Sequence, residues 1–487
     1  MSANRVLVAG VEVSPDHFIN NERVSSETTF EDRSPLDWNL KLADVARGGA
    51  VEADLAITAA LNAFPAWAAL THSERGAYLH RLADLIDANV EKIAAVECLD
   101  MAMLEESLRL RVIGRGARNF RAYADLASQY QPRKWDSNTT HNTVLRMPAG
   151  PTVVITPWNA PFMLSTWKCA PALAAGNTVV LKPAEWSPLS CSMLMDLVLE
   201  AGFPAGVFNV VQGLGSEVGA ALVNDERVRR ISFTGSPTTG RYIGTAAASN
   251  LVPFTAELGG KGAFVVYADA DLDAAAKKAA VMYDDAGQVC LAGTRLLVQE
   301  SIQEEFLASF RSYTDEHIMG DSRDPTTTLS PLIHPTHFER VSDFVTRARV
   351  NGDTVIWGGE PLGEGLWYKP TLIAPKSNNS EIVQSEVFGP VLTFQTFRDE
   401  SEAIALANST KYGLSSMVWT SDQAKADRFG EQVRAGTIWV NCFLIRDLTA
   451  PFGGCGISGI GREGGDYALD FYSDLKTFQV KEETTHG

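Results

Sequence analysis

Cys290 stands in Gly287-Gln288-Val289-Cys290-Leu291-Ala292-Gly293, where glycines on both sides would let a carbonyl carbon come close to the sulfur. A thiolate there is a nucleophile for acyl chemistry, but a thiol of ordinary pKa is only a few per cent ionised at neutral pH, so it needs a helper. Glu257, in Ala256-Glu257-Leu258-Gly259-Gly260-Lys261, falls where a predicted strand ends and a loop of glycines begins. A carboxylate facing a cleft from that place can act as a general base with its pKa raised by burial; at the surface, beside Lys261, it would be a solvated pair. Asn159 lies in Thr156-Pro157-Trp158-Asn159-Ala160-Pro161-Phe162, directly after another predicted strand. Two prolines stiffen that turn, so the amide could aim N–H donors at a developing oxyanion, or simply shape the turn.

Two further segments have the chemistry to hold a dinucleotide. Lys182-Pro183-Ala184-Glu185 ends a predicted strand. Its Lys can donate to ribose hydroxyls or phosphate, and its Glu can accept from the 2′- and 3′-hydroxyls while repelling a 2′-phosphate, which favours NAD over NADP. Phe233-Thr234-Gly235-Ser236-Pro237 joins a strand to a helix, whose free N–H groups can meet a pyrophosphate. No GxGxxG follows any predicted strand, so a dinucleotide would sit differently from the standard Rossmann manner.

The elements that must position these residues are legible in outline. A chain of 487 residues implies two or three domains. The first 130 residues read mainly as helix, for example Ser73 to Asn89 with Ser73 as N-cap and Tyr78, Leu79, Leu82, Leu85 and Ile86 on one stripe. From residue 150 short apolar runs alternate with helices: Thr152 to Thr156, Thr178 to Lys182, Phe208 to Val211, Arg230 to Thr234 and Phe254 to Glu257. This pattern implies a parallel sheet covered on both faces. A second series begins after Cys290, with strands at Arg295 to Val298, Thr354 to Trp357, Thr371 to Ala374, Val391 to Thr396, Ser415 to Trp419 and Thr437 to Val440, and Ser301 with Glu304 as a capping box. The polar stretch Tyr130 to Leu145 and the tail from Phe471 fit neither lobe and read as a protruding hairpin and arm.

Composition narrows the class. A formal net charge of -17 repels nucleic acid and anionic membrane surfaces, and no stretch approaches a membrane span or a secretion signal. Cys98, Cys169, Cys191, Cys290, Cys442 and Cys455 show neither CxxC pairing nor zinc spacing, so no metal, no disulfide framework and a reduced, cytoplasmic setting are expected.

Taken together, these segments resemble the aldehyde dehydrogenase superfamily in order and spacing, from about Phe18 to Thr477. The resemblance is carried by Pro157-Trp158-Asn159, Lys182-Pro183-Ala184-Glu185, Phe233-Thr234-Gly235-Ser236, Glu257-Leu258-Gly259-Gly260-Lys261, Gly287-Gln288-Val289-Cys290, Glu386-Val387-Phe388-Gly389-Pro390 and Pro451-Phe452-Gly453-Gly454. It implies an α/β fold of two Rossmann-like parallel-sheet lobes plus a β oligomerisation arm: residues 1–129 with 149–256 binding NAD, 257–445 catalytic, and 130–148 with 466–487 forming the arm of a homodimer or homotetramer. By position, the resemblance makes Cys290 the nucleophile, Glu257 the base and Asn159 an oxyanion donor alongside the Cys290 backbone N–H. Thr156, Trp158, Lys182, Glu185, Gly235, Ser236, Leu258, Glu386 and Phe388 would surround the cofactor. Gly456, Gly262 and Asp285-Ala286 depart from the common pattern near the substrate mouth.

The same comparison implies a pocket walled by Leu164, Trp167, Val289, Leu291 and Phe452. The segments Arg446-Asp447-Leu448 and Gly461-Arg462-Glu463-Gly464-Gly465 resemble the branch acting on muconate semialdehydes, in which an Arg pairs with a substrate carboxylate. Arg446, aided by Arg115, is expected to do so here, the alternative being an Arg that saturates loop carbonyls. Two rival functions are a CoA-acylating semialdehyde dehydrogenase, which would generally lack the base Glu257, and an idle scaffold or storage protein of the same fold.

Overall fold

The computed structural model describes residues 4–481. Its largest sheet has eight strands in the order Gly459–Ile460, Phe254–Glu257, Arg230–Thr234, Thr152–Ile155, Val179–Lys182, Phe208–Val210, His17–Ile19 and Glu22–Val24. The five strands from Phe254–Glu257 to Phe208–Val210 are parallel, and the outer ones pair antiparallel. Val179–Lys182 is buried throughout and Arg230–Thr234 in all but Thr234, because helices cover both faces. Strand order reverses about Thr152–Ile155: the next two strands lie on one side of it, and Arg230–Thr234 and Phe254–Glu257 on the other. Ligands of such sheets bind beyond the carboxyl ends at this switch. Asn159, Lys182, Ser236 and Glu257 all lie at or just past carboxyl ends there.

The second sheet has seven strands in the order Thr354–Trp357, Thr371–Ala374, Val391–Phe397, Arg295–Gln299, Ala263–Val266, Ser415–Trp419 and Thr437–Val440, all parallel except the first pair. Ala263–Val266 is a correction to the sequence reading, which began this series after Cys290. All four residues are buried, so the run has no alternation to betray it. The first 130 residues also hold more strand than expected: six short strands precede Ala50, and His17–Ile19 joins the large sheet. Three-residue strands are too short to display a period of two.

Two helix starts differ as well. The helix His72–Ala88 is capped by Thr71, not Ser73: Thr71 Oγ1 accepts from Glu74 N (3.2 Å), and Glu74 Oε2 accepts from Thr71 N (2.7 Å). Ser301 caps nothing, because the chain enters the helix Gln303–Asp315 through a 3-10 turn, Glu300–Ile302, that leaves Ser301 inside helical backbone. Beyond the lobes, Arg133–Asp136, Thr140–Pro148 and Ser473–Lys481 form one three-stranded sheet, with the tail paired to Thr140–Pro148 along nine residues. Arg146, bonded to Asp466 and Asp470, ties the arm to the helix before the tail.

Candidate active site

Cys290 sits in the turn that leads into Arg295–Gln299, partly open and surrounded by protein. Burial pushes its thiol up to about 12, the carboxyls of Glu386 and Glu257 push the same way, and Arg446 opposes them. Asn159 reaches this turn from the first lobe: its Nδ2 donates to the Gln288 carbonyl at 2.9 Å, two residues before the sulfur. Glu257 is 5% exposed at the end of its strand. Neither carboxylate oxygen has a hydrogen-bond partner, and Oε1 lies against Gly453. Burial, then the charge of Glu463, raise its pKa well above the carboxyl range, against Lys168, Arg462 and Arg446.

That neighbourhood contains a pair the sequence reading missed. Lys168 and Glu463 form a buried ion pair, with Ser232 Oγ 3.1 Å from Lys168 Nζ and Trp167 Nε1 donating to Glu463 Oε2 at 2.7 Å. The residues lie almost 300 positions apart, so no local spacing could have joined them.

The cofactor candidates converge along the carboxyl edge of the first sheet. Lys182 Nζ bonds Glu185 Oε2 at 2.6 Å. Burial works against the Glu185 charge, yet that lysine, with backbone N–H donors, holds its carboxyl below the usual range and hence ionised. Ser236 caps the helix Pro237–Ser249, its Oγ accepting from Thr239 N at 3.1 Å, so its hydroxyl is already engaged and the helix offers its remaining N–H groups. Gly235 abuts the Phe233 ring, and Leu258 packs over Gly240. Thr156 Oγ1 is spent on Ser165 (2.8 Å) and its N–H on the Lys182 carbonyl (3.2 Å). From the second lobe, Glu386 Oε1 accepts from Gly260 N at 2.7 Å, and its other oxygen fills the space a side chain on Gly259 would need. Burial lifts this carboxyl to about 7. The ring of Trp158 meets that of Phe388 edge-on at 5.4 Å. A charged acceptor, a helix N-terminus and a side-chain-free glycine thus stand just past carboxyl ends of one sheet, a set that fits NAD.

Several of the substrate candidates gather about the rings of Trp167 and Phe452. Phe452 packs against the cores of both lobes, and Val289 and Leu291 against the second. Leu164 is half-buried, one turn before buried Trp167 on the helix Pro161–Ala174. Arg446 lies over the Phe452 ring (3.8 Å) and near that of Trp167 (5.6 Å), and Arg115 lies 5.7 Å from the same tryptophan. The Arg446 guanidinium takes no hydrogen bond and no ion pair among the described residues. It therefore does not saturate loop carbonyls. Among the described residues Arg115 bonds only Asn119 Oδ1 (3.1 Å), and burial together with the charges of Arg446 and Arg118 pushes it down to about 10.

A thiol turn and a cofactor cleft meeting between two parallel-sheet lobes define a class of dinucleotide-dependent oxidoreductases. The chain belongs to the aldehyde dehydrogenase family, whose model matches residues 22–478. It is 40% identical to 2-hydroxymuconic semialdehyde dehydrogenase of Pseudomonas sp. (strain CF600), covering 96% of this chain and 99% of that one. It is 39% identical to 5-carboxymethyl-2-hydroxymuconate semialdehyde dehydrogenase of Escherichia coli, covering 93% and 98%. Among solved structures, indole-3-acetaldehyde dehydrogenase AldA of P. syringae, in complex with NAD+ and IAA, superposes with a TM-score of 0.95 at 36% identity, covering 97% of each chain. The α/β fold and the NAD-dependent oxidation of an aldehyde to its acid through a cysteine thioester follow from this membership. Among the described residues no single helix is long and apolar enough to cross a membrane.

Proposed function

We propose that Cys290 is the nucleophile, Glu257 the base and Asn159 an oxyanion donor for the oxidation of an aldehyde that carries a carboxylate away from the reacting carbon. The observation carrying the substrate class is the pair Arg446 and Arg115: two guanidiniums beside one tryptophan, neither of them in an ion pair among the described residues. Like charges held together in a partly buried site favour an anion that joins them, and a guanidinium fork matches a carboxylate. The names of the two semialdehyde relatives agree with a substrate of this kind.

The chain's own residues then act in order. Cys290 gives its thiol proton up to solvent and its sulfur attacks the aldehyde carbon, making a hemithioacetal whose oxyanion accepts from Asn159 Nδ2 and the Cys290 backbone N–H. Each such donor contributes on the order of 3 kcal/mol in a water-poor site. NAD held by these residues would supply the two-electron oxidant that turns this carbon into a thioester. Glu257 takes a proton from the water that attacks the resulting thioester, and acid and thiol are released. Lys182 and Glu185 hold the adenosine ribose, the helix at Ser236 the pyrophosphate, and Glu386 with Phe388 the nicotinamide side. By this reading the first sheet's lobe binds NAD, the second carries the nucleophile, and the arm joins subunits into a dimer or tetramer in the cytoplasm.

Two experiments test it. Cys290→Ser should lose nearly all NADH production, with mass spectrometry of trapped wild type locating the acyl adduct on the peptide containing Cys290; an adduct elsewhere refutes the assignment. Arg446→Ala should lower kcat/KM for a semialdehyde acid by about 10- to 100-fold while sparing a neutral aldehyde of similar size. Equal losses on both would refute the carboxylate reading.

A further inference from the structure

The helix Pro335–Val350 lies outside every motif discussed so far, yet its first two turns touch both halves of the site. Arg340 donates through Nη2 to the Glu386 carbonyl (2.6 Å) and through Nη1 to the Val387 carbonyl, and His337 Nε2 meets the Phe388 carbonyl at 2.7 Å. Three consecutive carbonyl oxygens, those of the loop bearing Glu386 and Phe388, are thus held by two side chains one helical turn apart. Phe388 adopts a φ of +60°, a left-handed conformation that costs a non-glycine residue roughly 1–2 kcal/mol and persists only where its surroundings over-determine it. Behind the loop, Gly389 packs directly on Val341 of the same helix.

The helix also grips what the loop faces. His334, its N-cap, stacks on Trp186 (4.5 Å, 9°), the neighbour of Glu185, and the His337 ring meets that of Trp158 at 5.4 Å. Just before the helix, Ile333 N donates to Gln288 Oε1 at 3.0 Å, two residues from the nucleophile.

We propose that His337 and Arg340 are positioning residues for the cofactor: by capturing the carbonyls of Glu386, Val387 and Phe388 they hold the Glu386 carboxylate over Gly259–Gly260 and the Phe388 ring against Trp158. The inference rests on the reading of that loop as part of the NAD cleft. His337 acts as a neutral donor: a carbonyl can only accept, so Nε2 carries the hydrogen, and burial pushes the imidazole down to about 4. Glutamine can reproduce such a donor and leucine cannot.

The test is a fluorescence titration of NADH onto the full-length enzyme without aldehyde, alongside KM for NAD and kcat. His337→Leu should weaken NADH binding and raise the NAD KM about tenfold, the effect of losing one buried hydrogen bond, with kcat at saturating NAD changed far less. His337→Gln should recover to within about twofold of wild type, which a loss of packing would not permit. Arg340→Lys, able to reach only one of its two carbonyls, should also weaken binding and provides a separate reading should leucine at 337 unfold the helix. Unaltered NADH binding in both His337→Leu and Arg340→Lys, or a glutamine variant no better than leucine, overturns the proposal. Glu386→Gln separates the layers: weakened binding there with intact binding in both His337→Leu and Arg340→Lys sinks the clamp alone, and intact binding in Glu386→Gln sinks the cofactor reading of the loop.

Discussion

Glu257 and Cys290 share a problem, because burial opposes the charge each needs for catalysis, and each raises the cost of ionising the other. With Glu257 raised above the ordinary carboxyl range, its basic form accumulates only at higher pH. The acid limb of kcat should therefore fall off well above the pH at which an exposed carboxylate titrates. Glu257→Gln should abolish that limb and slow acyl-enzyme hydrolysis by about 10²- to 10⁴-fold, while single-turnover NADH release survives better. A pH profile unchanged by the substitution would assign the base elsewhere. Arg446 answers part of the problem, since its charge favours both anions, and a substrate carboxylate bound to it would weaken that help.

Among the elements, the turn before Cys290 is the most constrained. Asp285, Ala286 and Gly287 take φ of +53°, +54° and +67° in succession, and Gly287 packs against the Gly389 carbonyl so closely that no side chain fits. Gly287→Ala should therefore destabilise the protein by about 2 kcal/mol or more and displace the nucleophile turn from the cofactor loop, readable as a lowered Tm together with slowed Cys290 alkylation. Wild-type Tm and alkylation rate in that variant would contradict the contact. The departure at Asp285-Ala286 leaves Asn159's bond to Gln288 in place, because that bond uses the backbone carbonyl and not a side chain of the altered positions.

For the whole molecule, the exposed tail strand is informative. Leu475, Phe478 and Val480 are 60%, 57% and 46% exposed on Ser473–Lys481, more apolar surface than a lone subunit would be expected to leave wet on one strand. Removing residues 473–487 should shift the protein to a smaller species in light scattering coupled to size exclusion; an unchanged mass would refute the arm's role in assembly. The chemistry was legible along the chain because its residues sit at loop starts marked by Gly and Pro: Asn159 between two prolines, Glu257 before two glycines, Cys290 after Gly287. The parallel strands were legible for a related reason, since burial on both faces demands continuous apolar runs. Folding alone decided what meets across the chain. Lys168 reaches Glu463, Arg446 stands beside Trp167 and Phe452, and His337 and Arg340 hold the loop of Glu386, because non-local contacts are set by how lobes pack and leave no periodic trace in the residues that make them.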